Sequence, residues 1–282
     1  MTALPLAAGA TAPKSPGEIA PASLTRPPVE AGKAVRRNVI AVASGKGGVG
    51  KTWFSITLAH ALARAGRRAL LFDGDLGLAN VDVQLGVTPR RDLASVIAGQ
   101  ATMGRAVGRY EAGGFDIIAG RSGSGNLATL PASRLTGLRN ELHELGRGYD
   151  WVVLDLGAGI ERAVRILVGQ SRTCLVIATD EPTSITDAYA FIKVTAMDHL
   201  ADDIRIVVNM AANAREGERT YATLRKACRE FLKIEPPLAG IVRRDERVKD
   251  SIRRQTALLT RHPNTEAALD VEAIARQVAV GS

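Results

Sequence analysis

The chain has 282 residues, of which 46% are hydrophobic and only 4% aromatic, and it carries a formal net charge of +8. Such a chain can bury a full core of Leu, Ile, Val and Ala, as one large domain or two small ones. Its two cysteines, Cys174 and Cys228, lie far apart with no C-x-x-C pair, which argues against a disulfide framework or zinc site and for a reduced, cytosolic protein. Residues 1 to 36 are Ala/Pro-rich, with prolines at 5, 13, 16, 21, 27 and 28 and no hydrophobic period, so a flexible tail is expected there. Residues 37–282 show no internal repeat or break and are expected to form a single domain. It opens with the apolar run Val39–Ala43, of strand type, followed by GKGGVGKT at Gly45 to Thr52. Trp53 to Ala65 then places Ile56, Ala59 and Ala63 on one helical face and stops at Gly66.

Strand, glycine loop and helix are the setting that the phosphate-cradling pattern G-x-x-x-x-G-K-[ST] requires. Glycines 45, 47, 48 and 50, with Val49 between them, let the backbone curl so that successive N–H groups face phosphate oxygens. The helix adds its positive end. Lys51 is expected to reach the β- and γ-phosphates of ATP, and the Thr52 hydroxyl to sit on Mg²⁺. A second lysine, Lys46, opens the loop.

Further along, strand-like runs at Ala69–Phe72, Phe115–Ala119, Trp151–Leu154, Cys174–Ala178, Ile204–Val208 and Leu238–Val242 alternate with helical patterns. Those include Arg134–Leu145, Ser184–Leu200, Glu218–Leu232 and Glu246–Arg254. Continuous apolar strands separated by helices predict an α/β fold, a mostly parallel twisted sheet covered on both faces in the doubly wound P-loop manner. Sites in such sheets lie past the carboxyl ends of the strands. There the second run closes in Asp73-Gly74-Asp75, two carboxylates placed to hold metal-bound water and orient the attacking one. The run Trp151–Leu154 closes in Asp155, which would hold Mg²⁺ through a water, and Gly157 and Gly159 follow. Asn209 ends the strand after Ile204; its amide either reads a base edge or caps a turn.

The four histidines, His60, His143, His199 and His262, show no ligand spacing. No apolar run approaches the roughly 18 residues of a membrane span, and the N-terminus is not a convincing signal peptide. Between Arg215 and Arg261 there are thirteen Lys/Arg against seven Asp/Glu, a net +6. Arg225, Arg229 and Lys233 recur at helical spacing there. Either this is a surface for DNA phosphates or anionic lipid, or a solvated face laced with Glu218 and Glu230.

The loop with Lys46 resembles the deviant Walker A motif of the MinD/ParA ATPases. The run Asp73-Gly-Asp75-Leu-Gly-Leu-Ala-Asn80-Val-Asp82 resembles that group's switch region. Asp180-Glu-Pro-Thr-Ser-Ile-Thr-Asp-Ala-Tyr189 is similar to the FlhG/FleN regulators of flagellar number; in it Pro182 stands near a helix start and Ser184 with Asp187 makes a capping pair. The resemblance spans about Asn38 to Ala279. It implies an ATP-dependent homodimer in which Lys46 reaches the partner's nucleotide, Asp75 orients the water, and slow hydrolysis restores the monomer. It also implies outputs through protein contacts, either a flagellar signal-recognition-like GTPase or a flagellar transcription activator. The alternative within the group is a ParA-like positioning ATPase that binds DNA nonspecifically. The end, Asp270–Val280, has one basic residue and no aromatic, so membrane binding is expected to be weak or absent, leaving a cytoplasmic protein, at most peripheral at the inner membrane or cell pole. The D-Q-A-type activating motif is not found in the tail. Arg243 and Trp53 depart from the group's usual proline and small polar residue.

Overall fold

The computed structural model describes residues 17–19, 38–75, 77–120 and 131–280. In chain order these form β1 (Gly17–Ile19), β2 (Val39–Ser44), α1 (Lys51–Arg64), β3 (Ala69–Asp73), α2 (Val81–Leu85), β4 (Val87–Pro89), α3 (Leu93–Ile97) and α4 (Met103–Ala106). Then follow β5 (Gly108–Tyr110), β6 (Phe115–Ile118), α5 (Ala132–Gly146), β7 (Trp151–Ala158), α6 (Arg162–Val168), β8 (Thr173–Ala178) and α7 (Pro182–Met197). The chain closes with β9 (Asp203–Ala211), α8 (Ala214–Ala227) and its π-helical extension Cys228–Leu232, β10 (Leu238–Arg243), α9 (Glu246–Arg253), α10 (Leu258–Arg261) and α11 (Glu266–Val280).

Eight strands form one sheet in the order β10-β9-β8-β2-β7-β3-β6-β5. Every pair in it is parallel except β5 with β6 at the edge. All seven strand runs read from the sequence are strands here, and they lie in one mostly parallel sheet as expected. The central strands are apolar on both faces because both faces are covered. On β2, Val39, Ala41 and Ala43 pack into one core cluster, while Ile40 and Val42 pack into the other. Helix α1 lies deep in the second cluster, with most of its residues buried.

Three details differ from the sequence reading. Gly17–Ile19, inside the expected flexible tail, pairs in parallel with β4, Gly17 against Val87 and Ile19 against Pro89. A three-residue pairing uses only backbone groups, so it leaves no hydrophobic period to read; the rest of residues 1 to 36 falls outside the described residues. Ser184 does not cap with Asp187: it is the third residue of α7, where its Oγ accepts a hydrogen bond from the Thr179 N–H at 2.9 Å, although Pro182 does open the helix. The basic stripe is also interrupted. Cys228–Leu232 widens into a π-helix capped by Lys233 at φ 60, so Arg225, Arg229 and Lys233 no longer share the 3.6-residue spacing. Arg225 instead lies 5.5 Å over the Tyr221 ring.

Helix α11 turns its apolar residues Ala267, Ala268, Val271, Ile274, Ala275 and Val278 into the core. A side chain at Gly240 would meet the Ile274 side chain at 2.5 Å, so glycine lets α11 sit directly on β10. Arg243 clamps the same contact. Its guanidinium donates to both oxygens of Asp270, at 3.0 and 2.8 Å, and to Glu266 at 2.6 Å. That is the structural use of an arginine at this position.

His60 gives a test of the core. It is buried on α1 against Phe115, ring centroids 5.9 Å apart. Burial, with a smaller push from Arg64, lowers its pKa from 6.5 to about 4. Between those values the unfolded chain holds the proton and the folded one does not. His60 therefore leaves stability at its full value above pH 6.5 and lowers it as pH falls toward 4, by roughly 3 kcal/mol in all. Urea unfolding of the wild type and His60→Leu at pH 7.5 and 4.5 should show a smaller acid loss in the variant.

Candidate functional site

The carboxyl ends of β2, β7 and β3, adjacent in the sheet, bring together the three sequence segments read as functional. The loop after β2 curls through Gly48 at φ 80 and Gly50 at φ 87, a left-handed conformation that glycine adopts without strain. Two further contacts shape it. A Cβ on Gly45 would stand 2.0 Å from the Asp187 carbonyl oxygen, so the loop's start packs directly on α7; a Cβ on Gly50 would stand 2.6 Å from Asn209 Nδ2. Gly47, Gly48, Gly50, Lys51 and Thr52 line a cavity of about 580 Å³ together with Asp75, Gly157 and Ala158.

Lys51 is 8% exposed. Burial lowers its pKa, while Asp155 and Asp75 pull the other way. Asp155, wholly buried within β7, is pushed up to about 6 by burial, against the stabilising pull of Thr52, Ser55 and Lys51. Its Oδ1 accepts from Ser55 Oγ at 2.9 Å, and its Oδ2 is buried with no partner. A buried carboxylate oxygen without a donor, beside the Thr52 hydroxyl and an ammonium, is an anionic position waiting for a cation. The chemistry of Thr52 and Asp155 therefore fits Mg²⁺. Asp73 is held well above the ordinary carboxylate range by burial and by the nearby Asp155. Its two oxygens are turned onto the switch backbone, accepting from the N–H of Asp75 at 3.2 Å and of Val81 at 3.3 Å. Asp73 thus ties the segment carrying Asp75 to the end of the sheet. Asp75 Oδ1 accepts from the Leu78 N–H at 3.1 Å. A Cβ on Gly157 would stand 3.5 Å from its carboxylate, so the segment after Asp155 runs beside Asp75 at ordinary contact distance.

Asn209 is buried, and its Nδ2 donates to the Val49 carbonyl at 2.8 Å. The residue nominated as a base reader or turn cap here braces the loop. The next residue, Met210, takes a left-handed φ of 58 and lines the cavity.

Lys46 is not directed at its own subunit's cavity wall. Its Nζ donates to Glu181 Oε2 at 2.5 Å and to Thr183 Oγ1 at 2.8 Å, at the start of α7. The pair is solvent-exposed, and the ammonium holds the Glu181 carboxyl below its usual range, by hydrogen bond first and charge second. Exposed pairs of this kind exchange readily for a better anion. Glu181 and Thr183 were visible in the sequence only as part of a resemblance. Their contact with Lys46 joins residues 135 and 137 apart in the chain, which no local pattern encodes. Ser55, the donor to Asp155, was likewise missed, although it follows Thr52 by three residues and so falls on the adjacent turn of α1.

Residues 40–258 match the family described as the CobQ/CobB/MinD/ParA nucleotide binding domain. The chain belongs to that family, the P-loop ATPases of MinD/ParA type. It is 41% identical over 240 residues to the antiactivator FleN of Pseudomonas aeruginosa, covering 85% of each chain. It is 30% identical over 237 residues to the flagellum site-determining protein YlxH of Helicobacter pylori, covering 84% of this chain and 80% of that one. Among solved structures, the cell division ATPase MinD of Pyrococcus furiosus superposes with a TM-score of 0.73 at 20% identity, over 87% of this chain and 99% of the other. That likeness shows the fold. Among the described residues no group of His, Cys, Asp or Glu is placed as a metal cluster, and no helix is long and apolar enough to cross a membrane.

Proposed function

We propose that this chain is an ATP-timed dimerisation switch that regulates flagellar number or placement through protein contacts. The observation that carries this reading is the placement of Lys46. The motif's extra lysine stands at the surface on a weak, exchangeable contact with Glu181 and Thr183, so it is free to leave for the phosphates of a second subunit. The identity to FleN and YlxH supports a flagellar regulator over other branches of the family. The partner would be a flagellar transcription activator or a signal-recognition-like GTPase.

The site's residues divide the work. Loop amides and Lys51 bind and orient the triphosphate. Thr52 and Asp155 would hold Mg²⁺, which, when bound, neutralises charge developing on the phosphates. Asp75, on the segment tied down by Asp73, orients the attacking water. A partner's Lys46 would stabilise the transition state, so that hydrolysis waits on dimerisation. Only a ligand that binds the two states differently can shift the equilibrium between them. ATP supplies that difference if its γ-phosphate is gripped from both subunits.

The test is sizing of Asp75→Ala in ATP and in ADP. The variant should bind ATP, hydrolyse it at a small fraction of the wild-type rate and accumulate as dimer in ATP only. A strictly monomeric Asp75→Ala protein in saturating ATP overturns the switch.

One observation favours a second reading, a ParA-like ATPase that binds DNA nonspecifically. Arg244, Arg247 and Arg253 are exposed on and beside α9, and Ile252 of the same helix lines the nucleotide cavity. Retention on DNA that requires ATP and falls steeply with salt would support it. For membranes, the apolar face of α11 is already spent on the core, so lipid binding through it would require undocking the helix.

A further inference from the structure

Trp53 stands directly after the Mg²⁺-ligand candidate Thr52, at the first turn of α1, and it lines the cavity. It is 6% exposed, and its indole N–H is buried without an acceptor. A buried indole usually finds a partner for its N–H, and an unmade hydrogen bond there is costly. Other polar side chains line the cavity as well, Asn80, Gln84 and Glu161 among them, but the Trp53 N–H is the one of these groups that is buried with no partner. On the ATP reading, the loop amides, Lys51 and Thr52 serve phosphate and metal. Asn209, the amide that the sequence nominates as a base reader, already gives its Nδ2 to the Val49 carbonyl. A side chain on Gly50 would strike that same nitrogen, so the brace is built into the loop. Met210 and Ile252 add apolar side chains to the lining of the same cavity, and Trp53 adds an apolar ring with an unpartnered donor.

We infer that Trp53 is a specificity-determining residue for the nucleoside half of ATP: its indole forms the wall against the base and ribose, and its N–H donates to an acceptor on them. The inference rests on the reading of this cavity as the ATP site. An indole N–H can only donate, so it recognises base ring nitrogens or ribose oxygens. Its flat apolar face adds area that a bare polyphosphate cannot use.

The experiment uses the full chain, with ATP and inorganic tripolyphosphate as separate probes in calorimetric titrations with Mg²⁺. Trp53→Phe keeps an aromatic wall and removes the donor. Its dissociation constant for ATP should rise about threefold to tenfold, the usual worth of one hydrogen bond, while that for tripolyphosphate stays within about twofold. Unchanged ATP affinity, or equal weakening toward both probes, overturns the inference. The wild type supplies a readout that needs no variant. The chain has two tryptophans, and the other, Trp151, is buried in β7. Indole emission should respond to ATP and not to tripolyphosphate; no response, or the same response to both, overturns the assignment. A wild type that binds tripolyphosphate but shows no preference for ATP removes the nucleoside contact alone. A wild type that binds neither removes the ATP site itself.

Discussion

Lys46→Ala should bind ATP with nearly wild-type affinity and hydrolyse it about 10³-fold more slowly or worse. Fingers supplied across an interface are worth ~10³–10⁵ in rate, or roughly 4–7 kcal/mol of barrier. The geometry says why binding should survive. In the lone subunit Lys46 touches Glu181 and Thr183 and leaves the phosphate grip to Lys51 and the loop amides. Single-turnover hydrolysis and equilibrium ATP binding, measured on the same preparation, separate the two effects. If Lys46→Ala hydrolyses at the wild-type rate, Lys46 has no part in the transition state. Glu181→Ala supplies the complementary check: with the resting contact removed, dimerisation should occur at lower ATP concentration, provided Lys46 must leave Glu181 to reach the partner.

Lys51→Ala should lower ATP affinity about 10²-fold or more, because an ammonium on phosphate oxygens is a charge-assisted contact in a largely dehydrated site. A second effect adds to the first. Lys51 is the buried cation facing Asp155 and Asp75, and it helps to hold the Asp155 pKa down from a still higher value. Without it, Asp155 is left as a buried carboxylate whose remaining help comes from the hydroxyls of Thr52 and Ser55. The apo protein should respond by taking up a proton at Asp155, at a higher pH than the wild type does. Calorimetric titration with ATP reads the first effect, and the pH dependence of apo thermal unfolding reads the second. Retention of ATP binding within tenfold of wild type would show that Lys51 does not reach the phosphates.

The legible part of this molecule was the part written in local pattern. Each central strand announced itself because a strand buried on both faces must be apolar at every position, as in Val39–Ala43 and Trp151–Leu154. The short strands β4 and β5 did not, since each is three residues long and partly polar. The glycine loop was legible for the same local reason: left-handed φ at Gly48 and Gly50 and close approach at Gly45 leave few residues that fit. The capping role given to Ser184 failed because its hydroxyl accepts instead from the Thr179 N–H, five residues back in the turn between β8 and α7, a loop geometry that helical spacing alone does not record.

Taken alone, the amino-acid order determines a parallel sheet, a phosphate loop and carboxylates at the strand ends, because backbone sterics and burial act over a few residues. What it leaves open is which distant groups meet. That Lys46 rests on Glu181, that Asn209 braces Val49, and that Trp53 keeps an unspent N–H at the cavity wall were decided by the tertiary structure. Hydrogen bonds and burial between residues more than a hundred positions apart depend on how helices and strands are stacked, and no periodicity along the chain records that stacking.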